Sequence, residues 1–263
     1  MSRNMGASAP SNARKVVVPL VTTIVTIAVW WFVVHVGFVP NFLLPGPDQA
    51  VMAFVEDAPL LAEHAATTLA EAALGLALGT LVGFVIAVLM DRFETLYLAI
   101  NPIITVSQTI PTIAIAPLLV LWFGYGLVPK VLLIVLTTFF PITVSLVGGF
   151  RSVDPDVVDL MRTMNASNWQ IFVHAKLPLA LEPFFSGLRI SATYAIVGAV
   201  VAEWLGGFSG LGVYMTRVRK SFSYDKMFAV ITLISVLSLA LMKGIDVLAR
   251  VCMPWTRQKG KES

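Results

Sequence analysis

Six stretches of the chain are apolar almost without interruption, and the polar and charged positions gather between them and at the two ends. A helix needs roughly 20 mainly apolar residues to cross a bilayer, which predicts spans at about 16–36, 65–90, 96–121, 128–149, 184–205 and 227–250. Pro102, Pro111 and Pro117 interrupt the third, so it is expected to be kinked or broken, with the freed carbonyls facing protein or water. Residues 1–15 form a polar tail, 16–250 one transmembrane domain and 251–263 a second tail. The first apolar segment has no small-residue cleavage site after it and reads as a retained anchor.

The pattern changes between the fourth and fifth spans. "DLMRTMNASNWQIFVHAKLP" (159–178) mixes charged, polar and apolar residues and still carries helix signals. Asp154 supplies an N-cap and Pro155 the first helical position, starting a helix that runs to about Met164. Asn165 tolerates the left-handed conformation that ends many helices. Ser167 and Gln170 have capping-box spacing and start a second short helix, which Pro178 is expected to terminate. The outcome is a helix–turn–helix whose Trp169, Ile171 and Phe172 need an apolar partner.

Composition fixes the environment. The chain has 263 residues, 57% of them hydrophobic and 13% charged, against about 25% charged in soluble domains, so the protein is membrane-embedded and all-α. Cys252 is the only cysteine, which excludes an internal disulfide and a cysteine-based metal cluster. The net charge of +3 is better read by position than as a nucleic-acid signal. Arg3, Arg14 and Lys15 precede the first span and Arg250, Arg257, Lys259 and Lys261 follow the last, whereas residues 37–63 carry no Lys or Arg. Both termini and the 154–178 segment are therefore expected in the cytoplasm. The 206–226 loop breaks the rule with Arg217, Arg219, Lys220 and Lys226; unless span five is re-entrant, it lies outside. Leu211, Met215, Val218 and Phe222 share one face there, as in an amphipathic helix lying on the outer surface.

Candidate chemistry is sparse. Gly75, Gly79 and Gly83 recur every four residues in span two, a ridge suited to packing within the bundle or to a dimer seam. Glu71 lies on the same face; it is a candidate for the substrate path or an ion-pair partner of Arg217 or Arg219. Glu203 closes span five and is a gate candidate. Gln108, Thr109 and Thr112 surround Pro111, where polar side chains suit a translocation path or satisfy carbonyls released by the proline. His35, His64 and His174 have no ligand spacing, so neither a metal site nor a proton relay is assigned. No cofactor is expected. No catalytic constellation is present, and nothing matches the G-x4-G-K-[ST] phosphate cradle, so ATP hydrolysis by this chain is not expected.

Residues 159–178 resemble the E-A-A-x3-G-x9-I-x-L-P signature of ATP-binding-cassette (ABC) importer permeases. Aligned on Leu177 and Pro178, Asp159 stands at the Glu, Asn165 at the Gly and Ala175 at the Ile, while Leu160 and Met161 replace the small alanines. "LLPGPDQAV" (43–51), "QTIPTIAIAPLLVLWFGYG" (108–126), "FFPITVSLVGGFRSVDPD" (139–156), "LPLALEPFFSGLRIS" (177–191) and "VVAEWLGGFSGLGVYM" (200–215) are similar to the nitrate/sulfonate/taurine branch of that family. The resemblance implies the type I importer permease fold, six transmembrane helices with a cytoplasmic coupling helix in a bacterial inner membrane. It also implies three partners: two copies of an ATPase subunit, a second permease copy and an extracellular solute-binding protein. It places ATPase coupling at Asp159, Asn165, Ala166, Ser167, Trp169, Phe172, Leu177 and Pro178. "MDRF" (90–93), "SQTIPTIAIAPLLVLWFGYG" (107–126) and "VRKSFSYDKMFAV" (218–230) look most like permeases for thiamine-precursor pyrimidines or riboflavin; sulfonate, taurine or nitrate is the alternative. An ion-gradient-driven carrier is the competing class, disfavoured because mid-membrane charges are almost absent and no internal repeat is visible.

Overall fold

The structure, a computed structural model, describes residues 12–40 and 43–255, with side chains from residue 17 onward; Arg3, Arg257, Lys259 and Lys261 lie outside them. Among the described residues every regular element is helical: α1 (Asn12–His35), α2 (Pro47–Glu56), α3 (Ala58–Arg92), α4 (Glu94–Ser107), α5 (Thr112–Phe123), α6 (Leu127–Arg151), α7 (Pro155–Thr163), α8 (Asn168–Ile171), a π-turn (Phe172–Lys176), α9 (Leu177–Gly206), α10 (Leu211–Lys220) and α11 (Tyr224–Cys252). The all-α expectation holds. Five helices are long and apolar enough to cross a membrane, and the α4–α5 pair, bent by 100°, makes a sixth crossing if counted as one span.

Two compact units emerge: the residues up to Ala58 with Val218–Ala229, and Pro59–Arg217 with those from Val230 on. In the first, the Trp30 indole donates to the Pro45 carbonyl (3.1 Å) and packs on Phe228 with ring centroids 5.5 Å apart. Lys226 bridges both carboxylate oxygens of Asp57 at 3.0 and 2.8 Å. Helix α1 leaves Val17, Leu20, Ile24 and Phe32 exposed, as a helix facing hydrocarbon does.

The second unit is built on α6 and α9. Ile134, Ile142, Leu146 and Phe150 of α6 bury against Ala180, Leu188, Ala192, Ile196 and Ala199 of α9. Small residues let the backbones meet: a Cβ on Gly149 would stand 2.8 Å from the Ala180 Cα, and one on Gly187 2.7 Å from the Pro141 carbonyl. In hydrocarbon this close packing, rather than expulsion of apolar surface from water, holds helices together. Helix α3 docks on α6 in matched four-residue steps: Gly75 faces Ile134, Gly79 faces Thr138 and Gly83 faces Ile142 and Thr143.

Contacts at the two ends of this unit decide the path of the broken helix. At one end Asp91 pairs with Lys176 and Glu94 with Arg151, both at 2.6 Å. At the other, Glu71 in the first half of α3 pairs with Lys130 at the start of α6, and Tyr125 stands against Gly206 at the end of α9. The chain leaves Glu94 at the first end and arrives at Lys130 at the second, so α4 and α5 together carry it from one end of this unit to the other.

Two local expectations are overturned. Pro178 does not terminate the second short helix. The chain passes from α8 through the π-turn into α9, with the Leu177 N–H donating to the Phe172 carbonyl five residues back. Proline lacks an N–H and clashes with the carbonyl four residues earlier; the wider π-turn displaces that carbonyl, so the ring sits at the beginning of a 30-residue helix. Nor does Phe222 extend the apolar face of α10. It adopts φ +56° and is 76% exposed. Ser223 N–H bonds the Val218 carbonyl (3.0 Å) and Phe222 N–H that of Arg219 (3.2 Å), a Schellman end in which Phe222 fills the left-handed position.

Candidate functional site

The 154–178 segment is assembled by its own caps. Asp154 Oδ1 accepts the Asp156 N–H at 3.0 Å, and Pro155 opens α7. After Thr163 the chain turns at Asn165, φ +61°. Ala166 N–H reaches the Met161 carbonyl and Asn165 N–H that of Arg162, both at 2.9 Å, closing a Schellman motif. The next helix starts two residues on: Ser167 N–H donates to Gln170 Oε1 (2.7 Å) and Gln170 N–H to Ser167 Oγ (3.3 Å). Asp159 pairs with Arg162 at 3.2 Å on the exposed side.

This segment is anchored on one side and bare on the other. Phe172 is half-buried between Phe150 (5.4 Å) and Trp169 (5.7 Å, stacked), and Ile171 and Ala175 are buried. Leu160, Met164 and Trp169 are 61, 74 and 71% exposed. Beside Trp169 lies a cavity of about 500 Å³ lined also by Val88, Asp91, Arg162, Phe172 and Lys176. Leu177 and Pro178 open α9, so α8 runs through the π-turn into a long apolar helix, with α7 joined to it across the Asn165 turn.

At the break between α4 and α5, Gln108 and Thr112 line an open cavity of about 320 Å³ with Ser107, Pro111, Thr137 and Tyr194. Ser107 and Thr109 turn their hydroxyls back to the carbonyls of Ile104 (2.8 Å) and Val106 (2.7 Å). Part of the polar set therefore serves the broken helix itself, while the Gln108 side chain is exposed at the cavity.

The opposite end holds a buried polar cluster. Glu203, 1% exposed, accepts the Thr68 hydroxyl at Oε1 (2.7 Å) and the Gly212 N–H at Oε2 (2.6 Å). Thr68 Oγ1 accepts the Leu211 N–H (2.9 Å), and His64 Nδ1 accepts the Gly210 N–H (3.0 Å). A ring nitrogen that accepts carries no proton, so the imidazole proton sits on Nε2, which is buried without an acceptor. Glu71 pairs with Lys130 at 2.6 Å, not with Arg217 or Arg219, and its carboxyl lies beside that of Glu203. An orphaned buried polar atom costs about 1–3 kcal/mol.

The structure thus separates the sequence-derived candidates into three places. The residues expected to couple to an ATPase lie together in the 159–178 segment, Gln108 and Thr112 reach a cavity, and Glu71 and Glu203 are buried at the far end. Gly75, Gly79 and Gly83 lie against α6. Sequence reasoning missed His64, Thr68 and Lys130. His64, Thr68 and Glu71 stand at i, i+4 and i+7, one polar face in the first half of an apolar helix, and that spacing was the available signal. Lys130 had none, because its partner is 59 residues away.

Comparison with known proteins agrees with this architecture. A probable ABC transporter permease of Haemophilus influenzae is 39% identical over 228 residues, covering 87% of this chain and 93% of that protein. The formylaminopyrimidine transport permease ThiX of Halalkalibacterium halodurans is 39% identical over 219 residues, covering 83 and 88%. A crystal structure of an amino acid ABC transporter shares the fold, with a TM-score of 0.63 at 18% identity, covering 76% of this chain and 97% of that one. Residues 79–258 match the family described as binding-protein-dependent transport system inner membrane component. With its crossings, its capped helix pair and relatives of nearly its full length, the chain belongs to that family and is an ABC importer permease subunit.

Proposed function

We propose that this subunit forms, as a homodimer, the path by which a thiamine-precursor pyrimidine or a riboflavin-like compound enters the cell. Two copies of a separate ATPase dock on residues 154–178, an extracellular binding protein delivers the solute, and both termini are cytoplasmic. The observation that carries the coupling role is the capped helix pair with Leu160, Met164 and Trp169 bare on one side and Phe172 anchored on the other. Such a surface, rigid, apolar and fused to α9, grips a partner at little entropic cost. Two observations support the substrate class: the 39% identity to a formylaminopyrimidine permease, and the exposed Tyr194 and Gln108 at the α4–α5 cavity, which suit a flat ring with hydrogen-bonding edges.

The test is reconstitution with the cognate ATPase and binding protein. ATP hydrolysis stimulated by binding protein loaded with an aminopyrimidine or riboflavin supports the assignment. Stimulation by taurine, an alkanesulfonate or nitrate alone overturns the substrate class and leaves the importer role standing. Solute uptake that needs an ion gradient and no ATPase overturns both.

A further inference from the structure

Three consecutive N–H groups at the start of α10 are accepted by three side chains that α10 does not own. Gly210 donates to His64, Leu211 to Thr68 and Gly212 to Glu203, and the Thr68 hydroxyl joins the set by donating to Glu203. The first N–H groups of a helix have no partner within it and are ordinarily capped by a residue just before it. Here the cap comes from α3 and α9 instead. The backbone is shaped around it: Gly210 has φ +119°, and a Cβ there would collide with the Glu203 carboxylate. Helix α10 therefore cannot shift without breaking these bonds or dragging the ends of α3 and α9 with it.

The far ends of both spans lie where the proposed ATPase contact is. Helix α9 carries Glu203 three residues before its end and begins at Leu177, one π-turn after the helix pair with exposed Trp169. Helix α3 ends at Arg92, and Asp91 pairs with Lys176. We propose that α10 is an outer coupling element, and that His64, Thr68 and Glu203 are positioning residues that pass its displacement to α3 and α9. Docking of the loaded binding protein on the outer face moves α10, and α9 carries the movement as a single helix to the ATPase contact. This rests on the transport function proposed above.

The experiment uses the complete importer in liposomes and compares Thr68→Val with Thr68→Ser. Valine has nearly the same shape but can neither accept the Leu211 N–H nor donate to Glu203; serine does both. The readouts are complex assembly, the basal ATPase rate and its stimulation by saturating loaded binding protein. Thr68→Val is expected to assemble and keep a basal rate near wild type, while stimulation falls about tenfold, as loss of a bond to a buried carboxylate implies; Thr68→Ser restores it. His64→Leu against His64→Gln, which keeps an acceptor for Gly210, repeats the comparison should the valine variant not assemble. Wild-type stimulation in Thr68→Val or His64→Leu overturns the proposal, and so does an equal fall of basal and stimulated rates, the signature of a purely structural cap. A wild-type complex that its binding protein does not stimulate overturns the transport reading itself.

Discussion

At the residue scale, the buried Glu71–Lys130 pair shows how geometry changes the meaning of a charge. A buried ion pair adds little net stability, but removing one partner strands the other. Lys130→Met is expected to destabilise the subunit by about 3–5 kcal/mol, whereas Glu71→Leu with Lys130→Met returns it to near wild-type stability. Thermal unfolding in detergent measures both. The double variant also tests Glu71 as a candidate for the substrate path: a stable protein with wild-type uptake removes it from the path. Asn165 gives a second prediction. Its φ of +61° suits Asn or Gly and penalises a β-branched residue. Asn165→Gly should preserve ATPase affinity, and Asn165→Val should lower it roughly tenfold through about 1–2 kcal/mol of strain. Titrating the ATPase onto the three proteins in nanodiscs decides it; equal affinities would mean the turn angle does not set the docking geometry.

At the scale of elements, the capped helix pair at 154–178 is legible because its signals are local. Asp154, Asn165, Ser167 and Gln170 act within five residues of themselves, and each makes the cap its position foretold. Pro178 was misjudged because its effect depends on what precedes it. A proline stops an α-helix, but a π-turn absorbs the ring, and the choice between them depends on whether Ile171, Ala175 and Phe172 find a core to hold the turn. Their burial makes Trp169 the projecting member of the pair. Trp169→Ala should leave the bundle intact and weaken ATPase docking by about 2 kcal/mol or more, as loss of an aromatic anchor does. Normal substrate-stimulated hydrolysis in a correctly inserted Trp169→Ala protein would remove that residue from the contact.

For the whole molecule, the number of crossings turns on the broken helix. The six-span expectation rests on apolar length and counts residues 96–121 as one kinked or broken span. The ion pairs at opposite ends of the second unit show the chain passing from one end of it to the other between Glu94 and Lys130, as one broken span would. Residues 167 and 209 flank α9 and so belong to opposite sides. Cysteines replacing Ser167 and Ser209 in a Cys252→Ser protein are expected to label from opposite faces in intact cells, Ser209 from outside. Labelling of both from one side would contradict the crossing by α9 and the cytoplasmic placement of the coupling segment together.

The sequence alone determined what depends on short range and on solvent. Apolar length set the spans, capping residues set the helix pair, and the four-residue glycine ridge marked a face for close approach; each is a property of neighbours along the chain or of the bilayer around it. Tertiary structure decided what depends on partners far apart in the chain. Only folding brings Lys130 to Glu71, or His64 and Thr68 to a helix that begins 143 residues beyond Thr68. The physical reason is the low dielectric of the interior: a buried carboxylate or backbone N–H must find a partner wherever the packing places one, and single-residue patterns carry no record of which segments the packing brings together.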